Sequence, residues 1–129
     1  MIVTAKENFT LKSDCRIEDF MMLHPNLLII IATVLTYANE NDLDVEFTSI
    51  ISDRENVEAK SKTHEDGRAI DMSTKGWNDF HISRIISLLE DKHSDIAAIS
   101  ASDLQPRPAV YHNYNNQGDH LHLQVRANK

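Results

Sequence analysis

The chain has 129 residues, 41% of them hydrophobic and 26% charged, an ordinary balance for a globular protein long enough to bury a core. Its formal charge of −7 argues against a nucleic-acid backbone or an anionic membrane surface as the main partner. A single cysteine, Cys15, rules out an internal disulfide, and the longest apolar run, Leu27–Ala32, is far too short to span a bilayer.

The opening Met-Ile-Val-Thr-Ala-Lys-Glu-Asn has neither the basic start nor the apolar run of a signal peptide, so synthesis in the cytoplasm is expected. Residues 1–12 read as a partly extended arm. Ser13 or Asp14 can cap a brief helix through about Met22, with Ile17, Phe20 and Met21 on one face. Pro25 suits the first turn of a helix over 25–40, whose apolar residues cover more than one stripe and predict deep burial. Val45–Ser52 reads as a strand, Asn56–Lys62 as a charged connection, and Arg68–Ser73 as a second short strand. In Asp79–Lys92, Ile82, Ile85, Ile86 and Leu89 fall at i, i+3, i+4 and i+7, the period of a helix. His93–Pro108 gives no clear period. Ala109–Tyr114 and His120–Arg126 read as a hairpin around Asn115–Gly118. No repeat or linker divides the chain, so one domain over 1–129 is expected.

Chemistry concentrates in two patches. Thr63–Asp71 carries His64 and Asp71 with Gly67 between them, and Asp119-His120-Leu121-His122 follows later. Two of only three glycines, Gly67 and Gly118, sit at these patches, where the backbone must turn tightly. His120 and His122 are two apart in a predicted strand and so project from one face, with Leu121, Leu123 and Val125 on the other. If the strand holding Asp71 lies beside His120–Arg126, then His64, Asp71 and His122 surround one point. Three such ligands with one open position are what a catalytic zinc ion requires, and zinc suits two imidazoles and a carboxylate better than a harder cation. Asp119 is placed to serve as the base. His120 can orient that base or contact the intermediate, and Arg54 can hold a substrate carboxylate through a two-pronged contact. His24, His81, His93 and His112 read as structural or surface histidines. Of these, only His112 is near enough in sequence to line the cleft. Trp77 can wall the cleft or make an apolar contact at a helix start.

Thr63-His64-Glu65-Asp66-Gly67-Arg68-Ala69-Ile70-Asp71 resembles the His-x-x-Gly-x-Ala-x-Asp signature of zinc D-alanyl-D-alanine peptidases. That family includes L-alanyl-D-glutamate endopeptidases and shares a superfamily with lysostaphin-type enzymes and the hedgehog domain. Asp119–His122 resembles its closing element, and Ile50–Arg54 its strand-plus-arginine segment. The resemblance implies an α+β fold: a small antiparallel sheet carrying the zinc site, with helices packed on one face. It also implies zinc on His64, Asp71 and His122, a catalytic carboxylate at Asp119, an active-site histidine at His120 and substrate anchoring by Arg54. The expected activity is hydrolysis of an amide bond in peptidoglycan peptides, as in a bacteriophage lysin acting on the cell wall. Lys62 stands where the family usually has serine, and Ser52-Asp53-Arg54 lacks the usual glycine and aromatic; both departures bear on substrate preference. The competing expectations are a metal-stabilised binding or structural module without catalysis, and an intracellular dipeptidase.

Overall fold

The computed structural model describes residues 9–12, 17–50, 67–100, 103–114 and 118–126. Among these residues, two α-helices and five strands form an α+β fold. The strands are β1 (Thr10–Leu11), β2 (Glu46–Ser49), β3 (Ala69–Ser73), β4 (Ala109–Tyr114) and β5 (Gly118–Gln124), in the spatial order β1-β2-β3-β5-β4. The helices are α1 (Pro25–Glu40) and α2 (Asp79–His93). No helix among the described residues is long and apolar enough to cross a membrane.

Every neighbouring pair is antiparallel except β1 and β2, which run parallel. The sheet is therefore mixed rather than antiparallel throughout. The parallel edge is held by aromatic packing as well as by the ladder. The rings of Phe9, Phe20 and Phe47 meet pairwise with centroids 5.4, 5.4 and 5.6 Å apart. Each such pair is worth about 0.5–1.5 kcal/mol beyond its area burial. Phe20 belongs to a 3-10 helix, Ile17–Met22, where a brief helix was expected.

The strand period sorts the sheet into two faces. Phe47, Ile70, Met72, Leu121 and Leu123 are fully buried and form one core with Leu27, Ile30 and Val34 of α1 and Ile82, Ile85 and Leu89 of α2. Glu46, Asp71, Ser73, His120 and His122, of the opposite phase, are exposed or only partly buried. Helix α1 buries one face only, because Leu28 and Ile29 remain 41% and 48% exposed. Its apolar composition suggested deeper burial, but one sheet and one partner helix can cover only one side. Trp77 belongs to this core and not to a cleft wall; it is 7% exposed, and its Nε1 donates to the Asp44 carbonyl at 2.8 Å.

Three histidines hold the helices. The Nδ1 of His24 accepts from the Asn26 amide at the start of α1. His81 Nδ1 lies 2.7 Å from the Tyr37 hydroxyl, and His93 Nε2 lies 2.8 Å from Thr33 Oγ1, so both contacts tie α2 to α1. The stretch 94–108, which had no readable period, adds a 3-10 turn and two isolated bridges, Ala97 to Val125 and Ile99 to Pro106.

Gly67 has φ of +70°, and a Cβ placed on it would clash with the Met22 carbonyl oxygen. Its own carbonyl accepts from the His24 amide at 2.8 Å. Gly67→Ala is expected to cost at least about 1–2 kcal/mol from the left-handed backbone alone, read as a lower urea midpoint at unchanged slope. Burial pushes the His93 imidazole below its ordinary value of 6.5, with Asp95 opposing and Lys92 assisting. Its contribution to stability is then full above pH 6.5 and is lost as the pH falls through the lowered folded value. Thermal melts between about pH 8 and about pH 5 should show the wild type losing more stability on acidification than His93→Gln.

Candidate functional site

The site is built on β3 and β5. Their antiparallel register places Asp71 opposite His122 and Ser73 opposite His120. Directly opposed residues share a face, so two side chains far apart in sequence meet without any loop having to bring them together. Asp71 Oδ1 and His122 Nδ1 stand 2.9 Å apart, with the side chains only 18% and 15% exposed.

The other side of the His122 ring is occupied as well. Its Nε2 lies 3.1 Å from Gln124 Oε1. The Gln124 amide nitrogen donates to the Arg107 carbonyl at 2.9 Å, which turns the amide oxygen toward His122. Arg107 is itself pinned by Glu90 and Asp103, each at 2.8 Å. Both ring nitrogens of His122 thus face acceptors, whereas a neutral imidazole has one N–H to give. With Nε2–H directed at Gln124, Nδ1 turns its lone pair toward the Asp71 carboxylate, an arrangement that a cation held between the two would satisfy.

This donor set fits zinc. Ligands at about 2.0–2.2 Å on a tetrahedral ion stand roughly 3.3 Å from one another. The two donors would need to part by only a few tenths of an ångström. Gln124 stands where an outer-shell acceptor would fix the tautomer of a metal-binding histidine. Among the described residues, no group of three His, Cys, Asp or Glu side chains is arranged to hold a metal ion. The third expected ligand, His64, and the expected substrate anchor, Arg54, lie outside the described residues.

Asp119 and His120 join Asp71, Ser73, Glu46 and Lys12 around an open cleft of about 740 Å3. His120 has the strand phase of His122, whereas Asp119 is one residue out of phase and exposed. Its Oδ2 accepts from the Tyr111 hydroxyl at 2.6 Å. That hydrogen bond is the chief reason the Tyr111 phenol is held above its ordinary range, with desolvation and the Asp119 charge adding to it.

His112, read from the sequence as structural though near enough to line the cleft, lies opposite His120 on β4, with its ring against both His120 and His122. Burial, then the neighbouring His120 and His122, push its imidazole below the ordinary histidine range, with Asp71 opposing. Gln124 and Tyr111 were not singled out from the sequence. Gln124 is two residues beyond His122 and so shares its face, a signal available from strand period alone. Tyr111 and His112 become visible only once β4 is paired with β5.

Gln124 is 6% exposed, so its loss is felt inside the protein. Gln124→Met should leave the Arg107 carbonyl without its donor and destabilise the fold by about 1–3 kcal/mol. It should also weaken zinc binding roughly 10–100-fold, as measured by competition with a chromogenic chelator. The chain matches no protein-family model, and no curated protein and no solved structure is significantly similar to it.

Proposed function

We propose that the chain is a zinc-dependent peptidase that hydrolyses an amide bond in peptidoglycan peptides. The observation that carries this reading is the contact between Asp71 and His122, a carboxylate and an imidazole nitrogen meeting at the separation of two donors to one ion, with Gln124 behind the ring. The resemblance of residues 63–71 and 119–122 to the signature of zinc D-alanyl-D-alanine peptidases supports it and assigns the third ligand to His64.

On this reading Asp71 and His122 bind zinc, and Gln124 keeps the His122 ring in place. Zinc, when bound, supplies a Lewis acid and water acidified to a pKa of about 7. Asp119 accepts the water proton and returns it to the leaving amine. The Tyr111 hydroxyl engages Oδ2 of Asp119, which leaves Oδ1 as the oxygen for that transfer. His120 lines the same cleft and contacts the developing oxyanion. Arg54 holds a substrate carboxylate, as the resemblance implies.

A second reading, a metal-stabilised binding module without catalysis, is favoured by one observation. Asp119 is out of phase with the two histidines, and its carboxylate is engaged by Tyr111. Digestion of muropeptides by the zinc-loaded protein, followed by mass spectrometry, decides between the two and identifies the bond cut. Asp119→Ala should lower turnover by about 10²–10⁴-fold with zinc retained, while His122→Ala should lose zinc. Absence of stoichiometric zinc in the wild type would refute the metal site. Unchanged muropeptides with zinc in place would leave the binding module.

A further inference from the structure

His112 stands outside the proposed zinc ligands and catalytic residues, yet it shares their face. The β4–β5 register sets it directly opposite His120, and residues so opposed carry Cβ atoms about 4.5–5.5 Å apart. The two rings lie 5.1 Å apart, centroid to centroid, at an interplanar angle of 40°. The His112 and His122 rings lie 6.0 Å apart at 70°. Two imidazoles on one tetrahedral ion, each nitrogen about 2.0–2.1 Å from it, keep their centroids roughly 5 Å apart. The spacing of His112 and His120 suits a shared ion, whereas that of His112 and His122 is wider by almost an ångström.

We propose that His112 and His120 form a second metal site, a cross-strand pair of imidazoles for a borderline divalent cation such as zinc, nickel or copper. Imidazole donors select such ions over magnesium and calcium. Water completes the coordination. The site lies beside Asp71 and His122 and is distinct from that pair. On the peptidase reading above, an ion there withdraws His120 from the substrate, so excess metal inhibits turnover; metal binding itself does not depend on that reading.

The test is calorimetric titration of the metal-free full chain with zinc chloride, with bound metal counted by mass spectrometry. The wild type should bind two ions. His112→Asn and His120→Asn should each lose one of them, with unchanged circular dichroism, and keep the ion that Asp71→Asn removes. Copper bound to the Asp71→Asn chain should show nitrogen couplings in its electron paramagnetic resonance spectrum, and these should vanish on adding His112→Asn. A folded His112→Asn chain that binds both ions as the wild type does would overturn the proposal, as would one that has lost both. A wild type that binds two ions and loses one on His112→Asn, yet cleaves no muropeptide, would uphold this site and refute the peptidase.

Discussion

The antiparallel register of β3 against β5 is the constraint on which the site depends. It sets Asp71 opposite His122 and Ser73 opposite His120, while Ile70 and Met72 fall opposite Leu123 and Leu121 in the core. A slip of one residue would turn either the β3 carboxylate or both β5 imidazoles into the core and send fully buried apolar side chains of the slipped strand to solvent. Core and site are therefore two readings of one register. The hydrophobic effect that buries Ile70, Met72, Leu121 and Leu123 is what aligns the polar face.

From that register a chain of contacts runs outward. Glu90 of α2 and Asp103 grip the Arg107 guanidinium, the Arg107 carbonyl orients the Gln124 amide, and Gln124 turns the His122 ring toward Asp71. The exposed ion pairs at Arg107 contribute little to stability by themselves. Their effect is positional, since they fix a carbonyl that a buried amide uses. The opposite edge of the sheet is held differently, by the cluster of Phe9, Phe20 and Phe47, which seats the parallel strand β1 beside the open cleft.

Much of the fold was legible in the sequence because local periods are strong there. Helix α1 occupies Pro25–Glu40 and α2 Asp79–His93, within a residue of the spans read from Pro25 and from the isoleucine spacing. The strands carrying Asp71 and His122 were placed by β-branched runs and turn residues, and they are neighbours in the sheet. The parallel pairing of β1 was not legible, because a two-residue strand has no period and its partner is distant in sequence. The exposure of Leu28 and Ile29 was not legible either, since composition does not say how many sides of a helix will be covered.

The sequence by itself determined which residues are able to do chemistry and which of them share a strand face. His120, His122 and Gln124 share a face because strand period is a local property of the backbone. Only the tertiary structure decided which residues on different strands meet. It brought His112 into the cluster, gave Asp119 to the Tyr111 hydroxyl, and placed Gln124 between His122 and Arg107. These contacts arise from the pairing of β4 with β5 and of β3 with β5. Pairing is set by burial of the whole apolar face, so no single segment carries the information.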